Sequence, residues 1–139
     1  MREIKFRAWD TAKKIMYSAG ELGKDELCLN PDGRGFVNVS SADQRFSEYM
    51  RHIVPLQYTG LKDSKGKEIY EEDILKGNGG AEDFFFDIGF EEGCFIAKMP
   101  WIKNGEIYPE LKAYCGFKED FISIEVIGNI YENPELLEP

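Results

Sequence analysis

Short apolar segments that alternate with polar residues and end in turns are the feature of this 139-residue chain that most constrains its fold. Near the N-terminus, Ile4, Phe6 and Ala8 occupy every second position, and a similar alternation runs through residues 121–131. A period of two places successive side chains on opposite faces of a β-strand, so each segment predicts a strand. Many short strands joined by tight turns are typical of a small β-barrel or a rolled antiparallel sheet.

Turn sequences divide the rest of the chain into strands of the same kind. Glycine, asparagine and aspartate tolerate the backbone angles of tight turns, and proline fixes φ, so clusters of these residues mark the connections. We predict a hairpin turn over residues 10–14, a mobile loop at 77–80 and a hairpin turn at 91–93. Gly128-Asn129 interrupts the last strand and predicts either a bulge or a close approach of the backbone to another segment. The remaining strands are predicted at residues 15–17, 35–39, 55–59, 68–70, 74–76, 84–90 and 94–99.

One segment changes to a helical period. Phe46, Tyr49, Met50 and Ile53 lie at i, i+3, i+4 and i+7, which places them on one face of a helix. Ser41 and Gln44 have the spacing of a capping box, in which each side chain bonds an otherwise unpaired amide of the first turn. We therefore predict a helix over about residues 41–52, inserted into one mainly β (α+β) domain that spans residues 1–139.

Charge is distributed unevenly along the chain. The net charge is −9, with six Lys or Arg against three acidic residues in 1–24 and eight against 18 in 60–139. A duplex-DNA binder usually needs a basic face, so the acidic C-terminal part makes duplex DNA an unlikely partner. A local basic patch could be built only from Arg2, Lys5, Arg7, Lys13 and Lys14. We interpret this patch as a solvated strand face.

The cysteines and the apolar runs indicate a cytoplasmic protein. Cys28, Cys94 and Cys115 are odd in number and form no C-x-x-C pair, so we predict reduced thiols in or near the core. The apolar runs are far shorter than the roughly 20 residues that cross a bilayer. Charged residues follow Met1 at once, so we expect no secretory signal and no membrane segment.

Candidate catalytic and ligand-binding groups are sparse. His52 is the single histidine, and we predict a structural role for it at a helix end rather than catalysis. Glu71, Glu72 and Asp73 are oxygen ligands, but adjacent residues of an extended chain point to different faces, so we predict a solvated turn. The glycine-rich segment 77–80 lacks the spacing of a phosphate-binding loop. We therefore expect no catalytic site, no metal and no cofactor.

Aromatic residues make up 14% of the chain. Most of them should lie in the core, with a few on a protein-binding face, where tyrosine and tryptophan are favoured. The candidate interaction surface consists of Arg7, Trp9, Tyr58, Lys62, Asp63 and Tyr70.

Three segments together carry a family likeness. They read REIKFRAWD at residues 2–10, QYTGLKDSKGKEIYEEDIL at 57–75 and EVIGNIYENPELL at 125–137. The chain resembles the YopX family of small proteins encoded by bacteriophages and prophages. The resemblance implies an SH3-like β-barrel, and it brings no established activity and no catalytic residues. Family members usually read Tyr-Glu-Gly-Asp-Ile where this chain reads Tyr70-Glu71-Glu72-Asp73-Ile74, and Glu72 argues against a need for a positive-φ glycine there.

These observations lead to one functional hypothesis and two alternatives. We expect a non-enzymatic phage accessory protein that contacts a host or phage protein, or itself as a homo-oligomer, in the cytoplasm of the bacterial host. The first alternative concerns nucleic acids: the basic N-terminal hairpin would bind single strands, or the acidic C-terminal part would imitate DNA and occupy a host protein. The second alternative is an enzyme that uses His52 with a cysteine or carboxylate partner.

Overall fold

The computed structural model describes residues 3–24, 27–30, 35–38, 50–98, 101–103, 106–108 and 121–138. The chain divides into two compact units, Met1–Tyr58 and Thr59–Pro139. Strands predominate in both units, so the predicted mainly β fold class is confirmed.

An antiparallel hairpin forms the centre of the first unit. Strand β1 (Phe6–Asp10) pairs with β2 (Ile15–Tyr17), with Trp9 opposite Met16. On its other side, β1 pairs with the beginning of β5 (Ile53–Lys62). The hairpin and its turn lie where the alternation of the sequence predicts them.

The described helix of the first unit lies at a different place from the predicted one. Helix α1 (Ala19–Lys24) begins after Ser18, whose hydroxyl accepts a hydrogen bond from the Glu21 amide, while the Glu21 carboxylate accepts one from the Ser18 amide. The predicted helix at about 41–52 falls mostly outside the described residues. Its described end is not helical, because residues 51–52 form a turn before β5.

Two further strands complete the core of the first unit. Strand β3 (Leu27–Leu29) pairs with β4 (Phe36–Asn38), which confirms the strand predicted at 35–39. Ala8 of β1, Leu22 of α1 and Phe36 of β4 are buried together with Ile53. Each element of this unit therefore contributes an apolar side chain to one small core.

An antiparallel sheet forms the larger part of the second unit. This sheet has the order β12-β7-β8-β9 and consists of β7 (Asp73–Asn78), β8 (Asp83–Glu91), β9 (Cys94–Lys98) and β12 (Ser123–Asn129). The unit also contains the end of β5 and strand β6 (Glu68–Tyr70), which pair with each other. Strands β10 (Trp101–Lys103) and β11 (Glu106–Tyr108) pair as a separate hairpin. A 3-10 turn (Pro134–Leu137) packs against β8.

Aromatic packing explains one glycine that the sequence suggested was in a mobile loop. Gly77 and Asn78 lie within β7, so the prediction is wrong for these two residues. A Cβ on Gly77 would lie 2.7 Å from the ring of Phe121, which in turn stacks on Phe86 at 5.4 Å between centroids. The glycine is therefore needed because a ring covers its backbone.

Two predicted turn features are confirmed in the second unit. Glu92 and Gly93 both have positive φ, 50° and 80°, as a two-residue turn between β8 and β9 requires. The register of β12 shifts between Val126 and Gly128, and a Cβ on Gly128 would collide with the side chain of Asn133. Gly128 thus combines the predicted bulge with a close approach of another side chain.

Candidate interaction surface

The six residues predicted to form an interaction surface are mostly inaccessible. The buried ones are Trp9, Tyr58, Asp63 and Tyr70. Arg7 is half-buried, and Lys62 is exposed. The four buried side chains contribute to the packing of their own units, so they present no surface to a partner.

Asp63 shows what a buried motif residue does instead. One carboxylate oxygen accepts hydrogen bonds from the amides of Lys65 (2.9 Å) and Lys67 (2.8 Å), and the other accepts one from the amide of Val126 in β12 (3.0 Å). Burial acts to raise the pKa of Asp63, but the three amide donors outweigh it and lower that pKa. The carboxylate therefore binds main-chain amides both in its own turn and in β12.

Asp73 and Asn129 have the same kind of role. The buried carboxylate of Asp73 accepts a hydrogen bond from the Tyr70 amide at 2.8 Å. The side-chain oxygen of Asn129 accepts bonds from the amides of Tyr131 and Glu132, at 3.1 and 2.9 Å. These motif residues satisfy backbone donors that would otherwise be buried without an acceptor.

The three adjacent acidic residues at 71–73 do not share one environment. Asp73 points into the unit, whereas Glu71 and Glu72 are half-buried. Within the described ranges there is no group of three His, Cys, Asp or Glu side chains that could hold a metal ion.

His52 and the cysteines complete the inventory of reactive groups. The His52 side chain is exposed, and the main-chain carbonyl of His52 accepts a hydrogen bond from the Thr11 amide at 2.8 Å. The prediction of near-core cysteines is wrong for Cys28, which is exposed, while Cys94 is half-buried. Cys115 lies outside the described residues.

One lysine of the predicted basic patch, Lys5, already interacts with other side chains of the same unit. The ammonium group of Lys5 lies 2.9 Å from a carboxylate oxygen of Glu3 and 5.4 Å from the centroid of the Tyr58 ring. Lys13 and Lys14, in the hairpin turn, are exposed. Arg2 lies outside the described residues.

An open groove lies beside β2 in the first unit. It has a volume of about 230 Å³ and is lined by Ile15, Met16 and Tyr17 of β2 together with Glu21 and Lys24 of α1. Ile15 is 45% exposed, although it is a large apolar residue. In the described part of the chain, β2 is the last strand on its side of the sheet. The groove therefore combines an apolar lining with an open strand edge.

Two features of the sequence point to this groove, although neither follows from the alternation that predicts the strands. Ser18 and Glu21 have the S-x-x-E spacing of a capping box, which places the start of α1 directly after β2. Lys13 and Lys14 directly precede Ile15, which is the first residue of the three-residue strand β2. These signals are weak because α1 has only six residues and includes two glycines.

No helix in the described ranges is long and apolar enough to cross a membrane.

Comparison with known proteins identifies the family. The family model described as YopX protein matches residues 5–138 of the chain. The chain belongs to the YopX family. No curated protein matches it.

Two solved structures have a similar fold. Protein EF1440 from Enterococcus faecalis is 27% identical, with a TM-score of 0.64 over 99% of this chain and 100% of that chain. Protein yopX from Bacillus subtilis is 22% identical, with a TM-score of 0.56 over 99% of this chain and 100% of that chain.

The family resemblance implies a glycine at the position of Glu72, where the backbone of this chain is left-handed. Glu72 has a φ of 65°, in the left-handed region that favours glycine. Its amide donates to the carbonyl of Ile88, and its carbonyl accepts from the amide of Ile130. The position therefore has the positive φ, but no glycine is needed for it, because glutamate adopts the left-handed conformation.

Proposed function

We propose that this YopX-family chain is a non-enzymatic protein that binds another protein through the groove beside β2. The proposal keeps the setting that the family resemblance implies, a phage or prophage accessory protein in the cytoplasm of a bacterial host. The groove itself carries the proposal, because it leaves a large apolar side chain, Ile15, exposed next to an open strand edge.

The polar residues of the family motif support a binding role over a catalytic one. Asp63, Asp73 and Asn129 accept hydrogen bonds from main-chain amides. A carboxylate that already accepts such bonds inside the protein is poorly placed to bind or activate a substrate. These residues hold the second unit together, and the groove of the first unit is left as the candidate for contact with other molecules.

Affinity capture with matched variants tests the proposal. Wild-type chain, Ile15→Glu and Ile122→Glu are immobilised, and the proteins retained from host lysate are identified by mass spectrometry. Ile122 is 76% exposed and belongs to the second unit, so its variant controls for adding a charge at an exposed isoleucine. We expect a protein that wild type and Ile122→Glu retain and Ile15→Glu loses. Identical captures by all three would overturn the proposal.

Self-association is a special case of the same proposal. Size-exclusion chromatography with light scattering would detect a homo-oligomer, and Ile15→Glu should convert it to a monomer if the groove forms the contact. An oligomer that Ile15→Glu leaves intact would be formed through another surface.

Nucleic-acid recognition is the second candidate function, and the uneven charge favours it. Residues 59–139 contain 18 acidic residues against eight Lys or Arg, which suits a DNA mimic, whereas exposed Lys13 and Lys14 suit binding of single strands. Nuclease treatment of the lysate separates direct binding of single strands from binding of a protein. Direct binding of a single strand would be lost with nuclease and would weaken steeply with salt. A DNA mimic would retain a DNA-binding protein after nuclease treatment.

A further inference from the structure

We propose that the groove binds an extended acidic peptide segment, which adds as a strand to the open edge of β2. This inference rests on the proposed function, because it names the chemistry of the partner at the same surface. Three features carry it: the direction of the main-chain groups of Met16, the apolar lining, and the lysines around the groove.

The hydrogen-bond ladder of β1 fixes the direction of the Met16 main chain. The carbonyl of Lys5 accepts from Tyr58, and the amide of Thr11 donates to His52, each at 2.8 Å. In an antiparallel ladder, successive residues bond alternately to the two neighbouring strands. The main-chain N–H and C=O groups of the odd-numbered residues of β1, including Trp9, therefore point toward β5. Met16 pairs with Trp9, so its N–H and C=O point away from β1 to the outer edge of β2.

Outward-pointing main-chain groups favour a peptide over other occupants. Within the described ranges, no strand pairs with β2 on this outer side. An unpaired N–H and C=O on a strand edge bind another extended chain through complementary hydrogen bonds. A nucleic-acid backbone has acceptor oxygens for the N–H, but its phosphates have no donor for the C=O of Met16. The edge thus selects a partner that both donates and accepts.

The side chains around the edge select the composition of that peptide. Ile15, Met16 and Tyr17 offer apolar surface. Lys13 and Lys14 at the hairpin end and Lys24 at the end of α1 are exposed. Glu21 is the acidic residue of the lining, and its carboxylate already accepts a hydrogen bond from the Ser18 amide at 2.9 Å. The charge around the groove is therefore complementary to aspartate or glutamate flanking an aliphatic residue.

A synthetic peptide of alternating glutamate and valine, labelled with fluorescein, is the probe that tests the inference. Its binding to the full chain is measured by fluorescence anisotropy, beside a peptide of alternating lysine and valine and an N-methylated form of the first. We expect the Glu-Val peptide to bind. Loss of the peptide N–H groups or reversal of the charge should each weaken binding by about tenfold or more.

Charge reversal on the protein provides a matched pair of variants. Lys24→Glu should weaken binding of the Glu-Val peptide by about tenfold, because Lys24 lines the groove. Lys62→Glu reverses an exposed lysine of the second unit and should leave the affinity unchanged. Equal binding of the N-methylated peptide, or equal effects of both variants, would overturn the inference.

The outcome also separates this inference from the proposed function. If Ile15→Glu loses its lysate partner while none of the peptides binds, the groove binds protein in another way and only strand addition is refuted. If the captures are identical for all variants and the peptides do not bind, both proposals fall.

Discussion

In each unit a buried aspartate accepts hydrogen bonds from the amides of a turn, but the two aspartates differ in how far along the chain their partners lie. In the first unit, one oxygen of Asp10 accepts bonds from the amides of Ala12 and Lys13, at 2.9 and 2.8 Å. In the second unit, Asp63 makes two equivalent local bonds and a third to Val126, 63 residues further along the chain. The first side chain shapes a turn, whereas the second also joins that turn to a distant strand.

The two carboxylates also differ in the balance that sets their pKa. The amide of Lys13 has the largest effect on Asp10 and lowers its pKa against the effect of burial, with help from the Ala12 amide and the charges of His52 and Lys13. For Asp63, burial is the largest effect and raises the pKa, and the three amides together with the charge of Lys67 lower it. The lowered pKa of Asp63 thus depends on more main-chain donors than that of Asp10.

Replacing each aspartate by alanine gives the largest expected difference. Asp63→Ala removes three charge-assisted hydrogen bonds and leaves the buried amide of Val126 without its acceptor, so we expect the free energy of unfolding to fall by about 3 kcal/mol or more. Asp10→Ala should cost clearly less, because the amides of Ala12 and Lys13 lie in an exposed turn where water can replace the carboxylate. Urea denaturation followed by fluorescence measures both losses. Equal losses would refute a long-range role for Asp63.

The pH dependence of stability should isolate the charge of Asp63. Because the folded-state pKa of Asp63 is lowered, its stabilisation is present above the ordinary pKa of 3.8 and is lost as the pH falls through the folded-state value. The stability advantage of wild type over Asp63→Asn should therefore shrink as the pH falls below 3.8. Urea midpoints measured from neutral pH down to about pH 3 test this expectation.

Asp87 provides the opposite sign as a control for that titration. Burial raises the pKa of Asp87, partly offset by the charge of Lys98, so its folded state binds a proton more tightly than its unfolded state. Stability linked to Asp87 is present below 3.8 and is lost as the pH rises through the folded-state pKa. The free energy of unfolding of wild type should therefore rise relative to that of Asp87→Asn as the pH falls. A difference for Asp63→Asn that stays constant with pH would contradict the assigned role of its charge.

Releasing the backbone strain at Glu72 is expected to have a smaller effect, in the stabilising direction. Glu72→Gly should raise the free energy of unfolding by up to about 1 kcal/mol, because glycine adopts a φ of 65° without the clash of a Cβ. Glu72→Ala, which removes the same side chain but keeps the Cβ, should give no such gain. If both variants gain equally, the side chain and not the backbone is responsible. Urea denaturation decides between them.

The smallest effect is expected from the exposed ion pair near the Asp63 turn. Lys65 and Glu125 join the same two segments as Asp63, with 2.6 Å between nitrogen and oxygen, but their side chains are 71% and 43% exposed. Solvent screens such a pair and its side chains lose entropy in forming it, so Lys65→Met should leave the urea midpoint unchanged. A loss similar to that of Asp63→Ala would mean that the ion pair, and not the buried carboxylate, joins the turn to β12.

Features set by local chemistry could be predicted from the sequence. The alternation around Phe6 and Ala8 predicts β1, and Glu92-Gly93 predicts the turn between β8 and β9, because strand period and turn angles depend on neighbouring residues. Asp63 could be assigned to its turn for the same reason, since aspartate bonds amides two to four residues ahead. Helix α1 escaped prediction because its two glycines and short length give no apolar stripe.

The sequence by itself determined that this chain is mainly β, where most of its hairpins turn, and which family it resembles. Only the tertiary structure decided that Trp9, Tyr58 and Tyr70 are buried, that Asp63 reaches Val126, and that Ile15 is left exposed beside α1. Strand patterns and turns follow from residues a few positions apart. Burial and open edges follow from which distant segments pack together, and no local pattern contains that information.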